Sequence, residues 1–134
     1  MLADGTRARP TILVIDDSPD FRNLLREVLT LEGFQVAEAA DGREGLRLFG
    51  MVRPDVVLLD MIMPEKDGIE TLREILRRQP DARVITFSGR AGASDHNDAA
   101  QVLGAKRGFM KPFQIEHLLD EIRLQLAAGN PARV

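Results

Sequence analysis

Short apolar runs alternate along this chain with segments of helical spacing. The runs are Thr11 to Ile15, Phe34 to Ala39, Val56 to Leu59, Arg83 to Phe87 and, less sharply, Arg107 to Met110. Three of them are nearly continuous Ile, Val and Leu, the pattern of strands buried on both faces. Between them, Phe21, Leu24, Leu25, Val28 and Leu29 follow i, i+3, i+4, i+7, i+8, which predicts a helix with one core-facing stripe. Ser18 can cap that helix, with Pro19 at its first position and Gly33 just past its end. Asp41 with Glu44, and Asp67 with Glu70, have the spacing of capping boxes, and Gly50 and Pro80 mark the ends of those two helices. A fourth helix, about Ser94 to Leu103, has a weak apolar face of Ala99, Ala100, Val102 and Leu103. The last is the clearest: Ile115, Leu118, Leu119, Ile122 and Leu126 share one side.

Five β-α units imply an α/β fold, a parallel sheet covered by helices on both faces. One domain is expected, over 10–127, with loose tails at 1–9 and 128–134. Composition agrees with a globular domain: of 134 residues, 44% are hydrophobic and 29% charged. A net charge of −3 gives no electrostatic footprint for nucleic acid or an anionic membrane. With no cysteine there is no disulfide scaffold, thiolate zinc or thiol catalysis. No apolar run is long enough to span a membrane, and Met1 to Pro10 has no signal-peptide core, so a cytoplasmic domain is expected. Among 18 basic residues only Lys66, Lys106 and Lys111 are lysine, which draws attention to each.

In such a sheet the strands' carboxyl ends share one edge, and ligands bind there. Asp16, Asp17 and Ser18 follow the first run, Asp60 the third, Ser88 and Gly89 the fourth, and Lys111 and Pro112 the fifth. Three close carboxylates repel unless a cation sits among them. With no His or Cys at that edge, the fitting ion is a hard one such as Mg²⁺, whose shell is commonly completed by phosphate oxygens. Lys111 supplies a point charge for the same anion and Ser88 a hydrogen bond. The edge therefore reads as a site for a phosphoryl group, with a carboxylate as candidate nucleophile.

Acids after strands are often only helix caps. Ser18 already caps the first helix, which leaves Asp16 and Asp17 redundant for that purpose, and Asp60 stands too far before Asp67 to cap the third. Asp55 lies on the opposite edge and is read as structural. His96 and His117 have no partner ligands nearby in sequence and are read as surface residues.

With these residues the chain resembles the receiver domain of two-component response regulators, from about Thr11 to Leu126. The matching stretches are Ile15-Asp16-Asp17-Ser18, Asp60-Met61-Ile62-Met63-Pro64 with Asp67-Gly68, Ser88-Gly89 and Lys111-Pro112-Phe113. The resemblance implies a flavodoxin-like (βα)5 three-layer sandwich with strand order 2-1-3-4-5. It assigns Asp60 as phosphoacceptor and Asp17 as direct Mg²⁺ ligand. Asp16 would act largely through water, and the Ile62 carbonyl would complete the protein ligands. Ser88 would bond a phosphoryl oxygen, Lys111 would pair with the phosphoryl group or with Asp60, and Gly89 would leave room for the group. It also implies a cis Lys111–Pro112 bond, a sensor histidine kinase as donor, and a downstream protein target at the surface of the fourth helix, fifth strand and fifth helix. Catalysis would be confined to self-phosphorylation and self-dephosphorylation. Nucleic acid and membrane are not expected as partners, and pairing of two copies stays open.

Two departures stand out. Three residues before the lysine, where the family often has Tyr or Phe, this chain has Gly108, which puts the usual aromatic readout in question. Phe109 follows, but by strand parity it faces the other side. Only eight residues follow Leu126, so the chain is expected to be either a stand-alone receiver or part of a longer protein. An aspartyl-phosphate phosphatase or transferase of the haloacid-dehalogenase type is the alternative. It needs a second acid two residues after the nucleophile, where Ile62 stands. A flavin or dinucleotide carrier would need a G-x-G-x-x-G motif or an aromatic stacking residue such as Tyr or Trp, and the chain has no such motif, no Tyr and no Trp.

Overall fold

The expected alternation is realised in a computed structural model that describes residues 9–63, 68–89 and 93–128, with the side chains of 93–96 left aside. The elements are β1 (Thr11–Ile15), α1 (Pro19–Leu31), β2 (Gln35–Ala39), α2 (Gly42–Val52), β3 (Val56–Asp60), α3 (Gly68–Arg78), β4 (Val84–Ser88), α4 (Ala93–Leu103), β5 (Arg107–Met110) and α5 (Ile115–Ala127). The strands form one parallel sheet in the order β2-β1-β3-β4-β5. Strand order therefore reverses beside β1 and β3, and Asp16 and Asp60 come from those two strands.

Alternation along the strands divides the core in two. Ile12, Val14, Leu58, Ile85, Phe87 and Phe109 face Leu25, Leu29, Leu118 and Ile122 of α1 and α5. Leu13, Ile15, Val57, Leu59 and Val84 face Leu46, Phe49, Leu72, Ile75 and Ala100 of α2, α3 and α4. β1, β3 and β4 are covered on both sides, which explains their unbroken apolar runs. Among the described residues no helix is long and apolar enough to cross a membrane.

Local signals carry most of the boundaries. The Ser18 side chain accepts from the Phe21 N–H, and Pro19 opens α1. Asp41 accepts from the Glu44 N–H at 2.8 Å. Glu44 pairs with Arg47, so only half of the expected capping box is seen there. Asp67 lies outside the described residues. α2 runs past Gly50 to Val52 and stops at Arg53, whose left-handed φ of 49° ends the helix. Leu24 and the expected face of α4 are corrections. Leu24 is half exposed, and Ala99, Val102 and Leu103 are exposed while Asn97 and Ala100 are buried.

Candidate functional site

Asp16 and Asp60 at the carboxyl edge are each fixed by their own turn. Asp16 is fully buried just past β1, and its Oδ1 accepts from the Ser18 N–H at 2.9 Å. Asp60 repeats the arrangement at the end of β3: its Oδ1 accepts from the Ile62 N–H at 3.0 Å. Asp17 is exposed between them and the solvent. Asp16, Asp17 and Asp60 each offer an oxygen, and those three atoms all lie within 4.8 Å of one another. An oxygen-only set of this charge suits a hard divalent cation.

Gly68 sets the approach of α3 to this edge. A Cβ there would lie 2.4 Å from the Met61 Cα, so only glycine lets the helix start against the chain that leaves Asp60. The Gly68 N–H donates to the Met61 carbonyl, and the Met61 N–H to the Phe87 carbonyl. The turn after Asp60 is therefore pinned to both α3 and β4.

Burial dominates the electrostatics of Asp60. It pushes the carboxyl up from 3.8 to about 6, assisted by the negative charges of Asp16 and Asp17 and opposed by the Ile62 N–H and by Lys111. At neutral pH Asp60 is ionised, buried and short of donors.

Lys111 follows β5 and reaches back over the sheet. Its N–H donates to the Ser88 carbonyl, and the Lys111–Pro112 bond is cis, as the resemblance implies. Its ammonium does not bond Asp60. It is 2.8 Å from Asp16 Oδ2 and lies over the Phe21 ring, 4.0 Å from the centroid. The fully buried Asp16 carboxylate is the partner in greatest need of a cation, and the ring face adds attraction on the same side. Phe21 in turn packs edge-on against Phe87 and Phe113.

Ser88 ends β4. Its Oγ is buried and has no hydrogen-bond partner among the described residues. Beside it, a Cβ on Gly89 would meet only ordinary contacts with Lys111. Asp55 is integrated into the opposite edge, where its Oδ2 accepts from the Thr11 N–H. His117 is exposed, and the side chain of His96 is outside the described set.

Sequence reasoning missed Arg22, whose Nη1 donates to the Asp16 carbonyl at 2.7 Å. It lies one turn into α1, where a basic residue reads as ordinary surface. It also assigned Phe21 to the core stripe alone, although the ring touches the site cation.

The family profile described as response regulator receiver domain matches residues 12–123. Chemotaxis protein CheY of Thermotoga maritima is 33% identical over 112 residues, covering 83% of this chain and 92% of that protein. Sporulation initiation phosphotransferase F of Bacillus subtilis is 39% identical over 115 residues, covering 86% and 92%. Among solved structures, a response regulator receiver domain protein from Clostridium thermocellum superposes with a TM-score of 0.84 at 33% identity, over 89% of this chain and 95% of that one.

Proposed function

The chain belongs to the response regulator receiver domains, and from that premise we propose that Asp60 is its phosphoacceptor. As a member it is a phosphorylation-dependent signalling receiver, not a conventional enzyme, and the haloacid-dehalogenase alternative is not favoured. The observation that carries the assignment to Asp60 is its position. It ends the central strand, buried, ionised at neutral pH and within 4.8 Å of two other carboxylates.

The donor in this reading is a phosphohistidine on a sensor kinase. An Asp60 carboxylate oxygen attacks phosphorus, the O–P bond forms, and the P–N bond breaks. The imidazole leaves with the electron pair and holds a proton from solvent. Asp16, Asp17, Asp60 and the Ile62 carbonyl would hold Mg²⁺, which would supply charge neutralisation between the two anions. Asp60 is already oriented by the Ile62 N–H, so attack needs mainly positioning. The Ser88 hydroxyl, buried without a partner among the described residues, is available to a phosphoryl oxygen, and Lys111, whose charge acts on Asp60, can serve the same anion once it leaves Asp16. Gly89 keeps the approach clear.

An apolar cleft of about 380 Å³, lined in part by Phe21, Leu24, Lys111 and Phe113, opens beside the lysine and offers the kinase a docking surface. Output would leave through α4, β5 and α5, where exposed Val102, Leu103 and Met110 suit a protein partner, a second copy of the chain included. A cytoplasmic location fits such partners.

Intact-mass measurement after incubation with acetyl phosphate tests the assignment. The expected result is a gain of one phosphoryl group that needs Mg²⁺ and is absent in Asp60→Asn. An equal gain in that variant would overturn it.

A further inference from the structure

Gly108 faces α4, and the space above it is filled by Asn97. A Cβ on Gly108 would lie 2.6 Å from both Cβ and Cγ of Asn97 and 3.0 Å from its Nδ2. The Asn97 Cβ is anchored to the helix backbone and cannot swing aside, so this approach of helix to strand requires glycine. Asn97 is only 6% exposed, although asparagine is mostly a surface residue. Its amide is satisfied at both ends. Oδ1 accepts from Thr86 Oγ1 at 2.8 Å, and Nδ2 donates to the Phe109 carbonyl at 3.2 Å. One side chain thus ties α4 to β4 and to β5. Among the α4 side chains described, only Ala100 is buried with it.

Thr86 and Ser88 are two residues apart on β4 and so point to the same face. The Thr86 hydroxyl is bonded to the helix, while the Ser88 hydroxyl is buried without a partner among the described residues. A phosphoryl group on Asp60 would give Ser88 its acceptor. Moving Ser88 to reach it carries the end of β4 along, and Thr86 with it. A buried amide that loses a partner costs far more than the bond contributes while made, so a small strand shift has a large effect on the helix.

We infer that Asn97 is a latch that docks α4 onto β4 and β5, and that phosphorylation of Asp60 reaches the output surface by breaking it. The inference rests on the phosphoacceptor reading above. The Thr86–Asn97 bond and the Ser88–phosphoryl bond are alternatives on one strand. A hydrogen-bonded amide over a glycine then performs the coupling that a ring at position 108 performs in other receivers.

The test is amide hydrogen exchange in the full chain and in Asn97→Ala, Gly108→Ala and Thr86→Val, each with Mg²⁺, with and without beryllofluoride as phosphoryl mimic. Without the mimic, amides of residues 97–103 should exchange about tenfold faster in Asn97→Ala and Gly108→Ala than in the natural chain, with α5 unchanged. Thr86→Val should move in the same direction by less. The mimic should bring the natural chain to the level of Asn97→Ala, and should add less than about twofold in that variant. Unchanged protection of 97–103 in Asn97→Ala, or a full response to the mimic in that variant, would overturn the latch. If Gly108→Ala does not fold, Asn97→Ala and Thr86→Val decide, since neither adds a heavy atom. Intact mass after acetyl phosphate is read on the same samples. A natural chain that gains no phosphoryl group overturns the reading of Asp60, while the variants without mimic still decide whether Asn97 docks the helix.

Discussion

An aspartate stands at each end of β3, and the two are held under opposite conditions. Asp55, just before the strand, is joined to the main chain of β1. Its Oδ2 accepts from the Thr11 N–H at 2.8 Å, and its own N–H donates to the Thr11 carbonyl at 2.8 Å. Asp60, the last residue of the strand, has the Ile62 N–H and two further carboxylates for company. The difference follows from the direction of a parallel sheet. Its amino edge presents N–H groups that a carboxylate can accept from. Its carboxyl edge presents carbonyls, which cannot donate. Among the described residues, Asp16 and Asp60 take main-chain donors from their own turns, and Lys111 meets the remaining need of Asp16. One edge uses its acid for cohesion, and the other holds its acids, proposed above as the reactive ones, at a cost in stability.

Removing the charge at the reactive end should have the largest effect. In metal-free protein Asp60 releases its proton near 3.8 when unfolded and near 6 when folded. Between those values the folded state binds more protons than the unfolded, so stability falls as pH rises. The loss is at most about 3 kcal/mol across that window, at about 1.4 kcal/mol per pKa unit, and solvent screening reduces it. Urea unfolding of Asp60→Asn in the presence of a chelator should lack this slope and show higher stability than the natural chain above pH 6. A variant less stable than the natural chain at pH 7 would contradict the account.

At the cohesive end the sign reverses. Asp55→Ala leaves the Thr11 N–H without its acceptor and should cost about 1–3 kcal/mol, read from the same urea transitions. A neutral result would mean that the two ends differ less than their geometry indicates.

Asp17 sharpens the contrast most gently, because it is exposed and belongs to the reactive end. Asp17→Asn should leave the metal-free unfolding midpoint unchanged, yet weaken Mg²⁺ binding by about tenfold or more in calorimetric titration. Clear destabilisation with normal Mg²⁺ affinity would move Asp17 into the cohesive class.

The sequence made the sheet legible because its signals are redundant. β1 and β5 run over the expected residues, β3 extends one residue further to Asp60, β4 is shifted one residue on to Val84–Ser88, and β2 starts one residue later at Gln35. The site was legible for a related reason. Acids, a hydroxyl and a lysine that follow strands must share an edge, whatever the helices do. What was hidden depends on contacts across the fold. The weak apolar pattern of α4 gave no sign that its buried face is polar, since Asn97 reads as surface until Thr86 and Phe109 are placed beside it. The pairing of Lys111 with Asp16 in preference to Asp60 was hidden too. It depends on the Phe21 ring and on the depth of Asp16, and neither follows from spacing. Glu121 is a third case: it is buried on α5 against Arg107, in a position where the helical pattern allows a solvated acid.

The close approach at Gly108 has a consequence for how this chain can vary. Positions 97 and 108 divide one fixed volume between a helix and a strand. Any atom added on the strand must be removed from the helix, or the two elements separate. At this separation a side chain at 108 is therefore admissible only beside glycine at 97, and an amide at 97 only beside glycine at 108. A domain carrying this pairing sets the distance between α4 and β5 by exclusion of side-chain bulk, where one with a ring at 108 would set it by the bulk of the ring. Transplanting an output surface between the two kinds would require exchanging both positions together.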